Sequence, residues 1–310
     1  MSDNTLRIAT RKSALARWQA NYVRELLCQH HAGLQVDIIG IDTMGDKILD
    51  RPLADAGGKG LFLKELEEAL LKNQADIAVH SMKDVVVDLP EGLDVPVILK
   101  REDPRDVFIS RKFKSLQDLP DGACIGTSSL RRQCQLKARR GDLEILNLRG
   151  NVDTRIKKLI DGKYDAIILA AAGIKRLGLE NHITEFLDIE FILPAIGQGA
   201  IGIEIRKGDK DTFSFIKCLN DSMTRDCVNA ERSFGRRLFG GCHLPIAAYA
   251  QLNDNSLILH GLVGQVDGNE LVQDTVKGDV KDAESIGKEL GEILLENGAA
   301  KILDRLVNDH

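Results

Sequence analysis

The sequence predicts an α/β protein with two α/β domains around a cleft and a small C-terminal α+β domain. Short apolar strands alternate with helices through the first two thirds, a pattern typical of largely parallel sheets covered by helices. Two segments, 100–105 (KREDPR) and 193–202 (LPAIGQGAIG), are suited to carry the chain to a second domain and back. From about Ser222 the pattern changes to a helix, three alternating segments and a last helix, which indicates an antiparallel sheet.

The individual elements follow from the apolar pattern. Helices are predicted to start near Ser13, Leu61, Ser128 and Val152, and two more are predicted over 222–238 and 282–297. The predicted domains are 1–99 with 200–217, then 105–193, then 222–310. The predicted strands are 6–10, 36–41, 76–80, 95–99, 107–110, 124–127, 145–148, 166–170, 200–205, 246–252, 257–263 and 271–276.

Composition places the chain among ordinary soluble globular proteins and disfavours several classes. Its 310 residues correspond to two or three domains. A formal net charge of -5 and an aromatic content of 4% argue against nucleic-acid partners, which need basic surfaces and stacking platforms. No apolar stretch approaches the roughly 20 residues of a membrane span, and the first residues lack the pattern of a secretory signal. The sequence thus predicts a cytoplasmic protein without nucleic-acid or membrane partners.

The cysteines predict reduced thiols and no metal site, because they form no CxxC pair and show no metal-ligand spacing. Cys242 lies in 240–245 (GGCHLP), where glycines leave room for another group to approach the backbone. Arg232, Arg236 and Arg237 precede it and would favour the thiolate. The residues leave open whether Cys242 is functional or inert. The other cysteines lie in apolar or helical settings typical of packing, at positions 28, 124, 134, 218 and 227.

One local pattern is predicted three times: a strand ends, a short polar turn with arginine and serine or threonine follows, and a helix begins. In open α/β sheets, ligands bind beyond the carboxyl ends of the strands, where backbone N–H groups and hydroxyls can donate to an anion. The pattern predicts a polyanionic ligand held by forked arginines. Helix capping by Ser13 and Ser128 with solvated arginines is the alternative. The turns are 10–13 (TRKS), 127–132 (TSSLRR) and 149–151 (RGN).

The segment 126–155 concentrates arginines in an acidic chain. Two of them are expected in the first turn of a helix, where the backbone already bears about half a positive charge. Cations are disfavoured there unless an anion binds, so the sequence predicts an anion site at this helix start. The arginines of the segment are Arg131, Arg132, Arg139, Arg140, Arg149 and Arg155.

The segment 75–84 (ADIAVHSMKD) carries the candidate catalytic residue. A buried strand would bring Ser81, Lys83 and Asp84 to the carboxyl edge of a sheet. Nearby cations would keep Asp84 ionised, and a carboxylate there can stabilise positive charge developing on a substrate. A turn aspartate paired with a local lysine is the alternative. His80 is expected to be structural, and Trp18 is expected to pack in the core from the first helix.

The glycine-rich segment 57–60 (GGKG) resembles a phosphate-binding loop only loosely. It lacks the spacing of a P-loop and follows no clear strand. The sequence predicts a lid or a ligand-contacting loop that includes Lys59, rather than a nucleotide cradle.

Nine motifs, in order along almost the full chain, resemble the porphobilinogen deaminase (hydroxymethylbilane synthase) family. Nine motifs in sequence are far more specific than any one of them. The resemblance implies two domains like the lobes of periplasmic binding proteins and a third domain that carries a cofactor cysteine. The motifs are RIATRKSALA, GGKGLFLKELE, DIAVHSMKD, REDPRD, GTSSLRRQ, LRGNVDTR, YDAIILAAAG, LPAIGQGAIGIE and GGCHLP.

The resemblance also implies an activity in tetrapyrrole biosynthesis. A dipyrromethane cofactor, one per chain, would be joined to Cys242 by a thioether, a bond suited to a soft sulfur nucleophile. Four porphobilinogen units would be added to this primer with loss of ammonia, and hydrolysis would release hydroxymethylbilane. The full pyrrole chain carries on the order of a dozen carboxylates, which forked cations would bind. The family also suggests a monomer.

The resemblance assigns site residues position by position. Asp84 would be catalytic, stabilising the azafulvenium and the protonated pyrrole nitrogens and assisting proton transfers. The cofactor-binding residues would be Cys242, Lys83, Ser81, Thr127, Ser128, Ser129, Arg131, Arg132 and Gly150. The substrate-binding residues would be Arg11, Ser13, Lys59, Arg149, Arg155, Arg176 and Gln198, with Lys59 on a lid over the cleft.

Two positions depart from the family pattern, and two other functions stay open. Asp55 stands where a lysine is expected, which weakens the case for several cations in the 42–60 loop. Val86 stands where proline is frequent, which would alter a turn without touching Asp84. A non-catalytic two-lobed anion-binding protein would leave Cys242 and the third domain unexplained. A cysteine hydrolase has only the adjacency of Cys242 and His243 in its favour.

Overall fold

The computed structural model describes residues 5–47, 63–238 and 244–308. The chain divides into two compact units. The first unit contains Met1–Glu102 and Ala200–Arg225, and the second contains Asp103–Gly199 and Asp226–His310. None of the helices in these described ranges combines the length and hydrophobicity needed to cross a bilayer.

The secondary structure alternates strands and helices up to α7 and then changes, as predicted. The strands are β1 (Thr5–Arg11), β2 (Gln35–Ile41), β3 (Ile77–Ser81), β4 (Leu93–Ile98), β5 (Asp106–Ser110), β6 (Cys124–Gly126), β7 (Glu144–Leu146), β8 (Ala166–Ala170), β9 (Glu185–Leu187), β10 (Ile201–Arg206), β11 (Ile246–Asn253), β12 (Ser256–Gly264) and β13 (Leu271–Asp279). The α-helices are α1 (Ala14–His30), α2 (Met44–Lys47), α3 (Lys64–Leu71), α4 (Leu130–Arg139), α5 (Val152–Ile160), α6 (Ala171–Arg176), α7 (Lys210–Ile216), α8 (Ser222–Arg237), α9 (Ala283–Leu294) and α10 (Ala300–Asn308).

The first unit is built on a five-stranded sheet in the order β2-β1-β3-β10-β4. Strands β1, β2 and β3 are parallel, and β10 runs antiparallel to both β3 and β4. Helix α1 buries Ala16, Ala20, Val23 and Leu27, a spacing that gives one apolar face toward the sheet. Trp18 is partly buried against the same core and stacks on Tyr22, so the expected packing role is confirmed at the edge of the core.

The second unit contains a five-stranded sheet of matching topology, in the order β7-β6-β8-β5-β9. Strands β6, β7 and β8 are parallel, and β5 runs antiparallel to β8 and β9. The one reversed strand in each sheet, β10 or β5, is the first strand after a predicted crossover. The predictions of largely parallel sheets and of two crossovers are therefore confirmed.

The C-terminal part of the second unit is an antiparallel sheet, β11-β12-β13, as predicted. Helices α8 and α9 contribute Phe234 and Leu290 to its own hydrophobic core, beside Leu259 of β12. Gly261 is required there, because a Cβ would lie 2.8 Å from both Phe234 and Leu290. The smaller α+β part is therefore a layer of helices on one sheet.

Some predicted boundaries were wrong. Helix α4 begins at Leu130, two residues after Ser128, which agrees with the prediction, whereas α3 begins at Lys64, with residues 61 and 62 outside the described ranges. The predicted helix 282–297 corresponds to α9 and the turn after it, and Gly298, with a φ of 113°, separates it from α10, which was not predicted. The sequence interpretation also missed β9, α2, α6 and α7, which are three to seven residues long and too short for periodicity to show. The domain boundaries stay a prediction.

Candidate functional site

A small open pocket of about 50 Å³ in the first unit brings together several of the predicted site residues. It lies at the carboxyl ends of β1 and β3, where ligands bind in open α/β sheets. Arg11, Ser13, Ser81 and Asp84 line it, together with His80. A carboxylate, a guanidinium and two hydroxyls therefore share one small space, which suits a ligand that carries both negative and positive groups.

A buried residue holds the turn that carries Asp84. Strand β3 ends at Ser81, and a 3-10 turn over Met82–Asp84 follows with Lys83 half-buried. Met82 is 1% exposed, and its N–H donates to the oxygen of Ala200 at 3.0 Å. A Cβ at Gly202 of β10 would overlap Met82 Sδ, so the turn packs directly on the backbone of β10. This packing keeps Asp84 half-buried at the pocket.

The hydroxyls of the pocket are fixed by local hydrogen bonds. Ser13 caps α1, accepting from the N–H of Ala16 at 3.4 Å, so the capping interpretation is confirmed for this residue. Gln19 Nε2 donates to Ser81 Oγ at 2.8 Å, and Gln19 is 2% exposed. Gln19 was missed by the sequence interpretation, because an inward position on α1 gives no motif signal.

Arg131 and Arg132 lie in the first turn of α4, as expected, and the anion they meet is Asp106. Arg131 Nη2 donates to Asp106 Oδ2 at 2.7 Å, and Arg132 Nη2 donates to Oδ1 at 2.8 Å. All three side chains are buried. Burial disfavours the ionised carboxyl, but the two guanidinium groups outweigh it and hold the pKa of Asp106 well below its usual range.

Asp106 balances these cations in part. The Nε atoms of Arg131 and Arg132 are nevertheless buried without a hydrogen-bond partner in the described part of the chain. A buried unpaired donor costs roughly 1–3 kcal/mol. The two Nε–H groups, which belong to cationic side chains at the start of a helix, are therefore suited to donate to a further carboxylate. Asp106 itself was missed, although it ends the REDPRD motif.

Gln198 and Arg176 make hydrogen bonds close to Asp106 and to the return crossover in the second unit. Gln198 Nε2 donates to Asp106 Oδ1 at 2.9 Å and to the oxygen of Pro104 at 2.7 Å. Arg176 is 9% exposed, and its Nη2 donates to the oxygen of Gly199 at 2.7 Å. The structure thus places Gln198, Arg131 and Arg132 around one carboxylate, with Arg176 bound to the residue next to Gln198.

Glu231 of α8 holds the other side of this segment. Its Oε2 accepts from the N–H of Gly197 at 2.7 Å, and its Oε1 accepts from the N–H of Ala250 at 2.8 Å. Glu231 is fully buried. The carboxylate therefore ties the return crossover to β11, and sequence reasoning missed it because its partners lie 34 and 19 residues away.

The 127–129 turn is bound to the turn after β7. Ser128 Oγ donates to the oxygen of Leu148 at 2.9 Å and accepts from its N–H at 3.0 Å. Ser128 therefore does not cap α4, and that capping interpretation was wrong. Ser129 is the N-cap residue but makes no side-chain capping bond, while Thr127 Oγ1 accepts from the N–H of Ser129 at 3.2 Å.

The turn at 149–151 keeps its arginines near the start of α5. Gly150 has a φ of 109°, and a Cβ there would lie 2.8 Å from Thr154. Arg155 Nε donates to the oxygen of Gly150 at 2.7 Å. Arg149 and Arg155 are both half-buried.

Arg139 and Arg140 do not belong with the other arginines of 126–155. They lie at the opposite end of α4, about 12 Å along the axis from Arg131. Arg139 Nη2 donates to the oxygen of Glu190 at 3.0 Å, and Arg140 pairs with Asp142 at 2.7 Å. The sequence grouped them with the anion site only because they are close in number.

Cys242, Lys59, Asp55 and His243 lie outside the described residues. The five described cysteines are free, as expected. Cys134 and Cys227 are buried, but Cys28 and Cys218 are exposed, so the packing interpretation was wrong for those two. Within the described ranges, no group of three or more His, Cys, Asp or Glu side chains is arranged to hold a metal ion.

Two family models match the chain. The model "Porphobilinogen deaminase, dipyromethane cofactor binding domain" matches residues 6–214. The model "Porphobilinogen deaminase, C-terminal domain" matches residues 226–296. The first covers more than half of the chain and includes every candidate site residue except Cys242, which lies within the second.

Solved structures with a similar fold are more distant. A putative methionine-binding lipoprotein from Bacillus subtilis has 16% identity and a TM-score of 0.42, covering 70% of this chain and 88% of that chain. The methionine-binding protein MetQ has 15% identity and a TM-score of 0.45, covering 70% and 90%. The periplasmic VFT2 domain of BvgS from Bordetella pertussis has 16% identity and a TM-score of 0.41, covering 70% and 94%. Matches of this strength carry no argument about function.

Proposed function

The chain belongs to the porphobilinogen deaminase family, and from this premise we propose that it is a hydroxymethylbilane synthase. The family makes it a transferase of tetrapyrrole biosynthesis with a dipyrromethane cofactor. When bound, the dipyrromethane supplies the primer to which four porphobilinogen molecules are joined with loss of ammonia. The observation that carries the proposal is the pocket that Asp84 shares with Arg11 and two serine hydroxyls.

Asp84 is the catalytic residue in this proposal. Porphobilinogen carries acetate and propionate groups together with an ammonium leaving group, so its site must bind negative charge and stabilise positive charge. Arg11, Ser13 and Ser81 supply donors for carboxylates. The half-buried carboxylate of Asp84 stabilises positive charge that develops on the pyrrole and can accept a proton from it.

The donors at the start of α4 fit the cofactor. The buried Nε atoms of Arg131 and Arg132 require acceptors, and the carboxylates of a dipyrromethane have the right charge and number of oxygens. In this assignment the cofactor carboxylates bind the two arginines. The attachment point is Cys242, and the other residues assigned to the cofactor are Ser81, Lys83, Thr127, Ser128, Ser129 and Gly150.

The remaining cations bind the carboxylates of substrate and growing chain. Arg149 and Arg155 are half-buried at the start of α5, where helix N–H groups add to their positive field. Arg176 and Gln198 are held by backbone and Asp106 contacts, which fixes their position before any ligand binds. Lys59 is assigned to the same set from the family pattern alone.

We also propose a three-domain organisation, a cytoplasmic location and a monomeric state for this chain. The three domains are 1–99 with 200–217, 105–193 and 222–310, which the separate core of β11 to β13 supports. The protein acts in the cytoplasm and as a monomer.

Intact-protein mass spectrometry tests the proposal. The purified protein is expected to exceed its sequence mass by a covalent adduct of two pyrrole units. The adduct should be absent in Cys242→Ser and present in the control Cys28→Ser, because Cys28 is an exposed thiol outside the assigned site. An unmodified protein that still produces hydroxymethylbilane would contradict the covalent primer.

Turnover separates the enzyme from the anion-binding alternative. With porphobilinogen supplied, hydroxymethylbilane and ammonia should appear in a ratio of one to four. Binding of porphobilinogen without ammonia release, in a protein that carries the adduct, would support the non-catalytic alternative instead.

A further inference from the structure

Three buried titratable side chains interact with one another, and one of them lines the pocket that contains Asp84. Glu67 of α3 is 8% exposed, His80 of β3 is 5% exposed and Glu204 of β10 is 1% exposed. His80 also lines the pocket and directly precedes Ser81. None of the three has a part in the function proposed above.

His80 and Glu204 form a direct pair across two strands. His80 Nε2 lies 2.9 Å from Glu204 Oε2. In the antiparallel register, His80 is opposite Gly202 and Glu204 is opposite Ala78, so the two side chains are diagonal neighbours on one face. Glu204 Oε1 is buried without a hydrogen-bond partner among the described residues.

The charges of the cluster can balance only when one of the two glutamates is protonated. If both glutamates are ionised, the core holds at least one net negative charge even with a protonated imidazole, which is costly in a low dielectric. With Glu67 protonated, the cluster carries one negative charge fewer, and the contact between His80 and Glu204 is kept. Burial and the charge of Glu204 raise the pKa of Glu67 to about 7, while His80 opposes the rise.

Among the described residues, His80 is the group that opposes the raised pKa of Glu67, and Arg11 and Asp84 are the charged side chains that line the pocket with His80. Helix α3 packs against β1, β3 and β10. β3 contributes His80 and β10 contributes Glu204. From β1, the apolar residue Ala9 packs in the hydrophobic cluster of α3. Arg206, two residues beyond Glu204 on β10, donates instead to the oxygen of Leu70 at the far end of α3 and to Asp209.

We propose that Glu67, His80 and Glu204 form a buried proton-holding cluster that positions the Ser81–Asp84 turn and keeps added negative charge away from the pocket. The inference rests on the proposed function, because it takes the pocket as the site for porphobilinogen carboxylates. As pH rises, Glu67 releases its proton to solvent and adds one negative charge to the cluster beside that site. Substrate carboxylates are then repelled, and the field acting on Asp84 changes.

Infrared spectroscopy of the holoenzyme tests the cluster independently of activity. A protonated buried carboxyl gives its own C=O band, which should disappear as pH rises through the neutral range. The band should be absent in Glu67→Gln and unchanged in Glu68→Gln. Glu68 is the matched control, because it is adjacent on α3 but 46% of its side chain is exposed and it pairs with Lys72. A band absent from the wild type would overturn the cluster.

Kinetics test the link to the pocket. The wild-type KM for porphobilinogen is expected to rise about tenfold between about pH 6 and about pH 8, and this rise should vanish in Glu67→Gln but persist in Glu68→Gln. Identical profiles in wild type and Glu67→Gln would overturn the link. A protein that turns over no porphobilinogen, yet shows the titrating band, would contradict the proposed function and leave the cluster intact.

The positioning role of His80 is tested by comparing kcat in two variants, one without and one with a side chain that can donate to Glu204. His80→Ala should lower kcat, and His80→Gln, which retains a donor toward Glu204, should restore part of it. Equal kcat values in both variants and the wild type would remove His80 from the role. If neither variant folds, the Glu67→Gln profile still decides the proposal.

Discussion

Gln198 Nε2 donates to Asp106 Oδ1 at 2.9 Å, which ties together the two segments at which the chain enters and leaves 103–199. The same amide donates to the oxygen of Pro104 at 2.7 Å. Asp106 also accepts from Arg131 and Arg132, so one buried carboxylate holds both the crossover and the start of α4. Loss of its charge should therefore affect stability and the anion site together.

Asp106→Asn is expected to destabilise the protein by about 3–5 kcal/mol, because it leaves two buried guanidinium groups without their counter-charge. Urea unfolding measures the change. Asp121→Asn is the control, since Asp121 is 99% exposed and pairs with Arg140 only at 3.8 Å. A change within about 0.5 kcal/mol, as expected for the control, would show that Asp106 does not hold the arginines.

The contribution of Asp106 should depend on pH in one direction. Its folded-state pKa is below the usual range, and the unfolded value is about 3.9. The stabilisation is therefore fully present above about pH 4 and is lost as pH falls toward the folded-state pKa. Unfolding free energies of wild type and Asp106→Asn should converge below about pH 4. A constant difference down to acidic pH would contradict the assignment.

Asp84→Asn should lower kcat by at least about 10²-fold while the protein remains folded, because an amide neither stabilises positive charge nor accepts the proton. Steady-state formation of hydroxymethylbilane measures kcat, and the melting temperature reports the fold. Asp88→Asn is the control, an exposed aspartate four residues along the chain. Near-normal turnover in Asp84→Asn would remove this residue from the mechanism.

Arg149→Ala and Arg155→Ala should stall elongation at intermediate stages, because each removes a cation that binds the carboxylates of the growing chain. Mass spectrometry of the holoenzyme after limited porphobilinogen should show altered populations of enzyme-bound intermediates. Arg140→Ala should not alter them, since Arg140 pairs with Asp142 at the far end of α4. Unchanged populations in the first two variants would make those arginines structural.

Gly202→Ala should disturb the catalytic turn from behind. The added Cβ would overlap Met82 Sδ and lie 3.0 Å from Val95, so Met82 must move and the turn that carries Asp84 moves with it. A loss of about 1–3 kcal/mol in stability and a fall in kcat are expected. Gly141→Ala is the control, because its Cβ would meet only an ordinary contact at 3.5 Å. Unchanged kcat would show that the turn does not depend on this packing.

Local sequence signals predicted the elements that carry the site. β3 is a continuous apolar run followed by the polar residues of 81–84, so both the strand and the position of Asp84 at its end follow from that run and from the turn residues after it. The same holds for the turn before α4, although Ser128 contacts Leu148 rather than capping the helix. Short elements such as β9 could not be predicted, because a strand of three residues is too short to show a repeating pattern of apolar and polar residues.

The sequence by itself determined the strand and helix order, the family motifs and the residue types at each turn, because these depend on neighbours in the chain. Only the tertiary structure decided which charges meet. Asp106 takes its partners from 25, 26 and 92 residues away, and His80 meets Glu204 across 124 residues. The six arginines of 126–155 divide between two ends of α4 and the start of α5, because a helix separates in space what is close in number. Pairing of buried charges is a long-range property, since it depends on which strands and helices fold side by side.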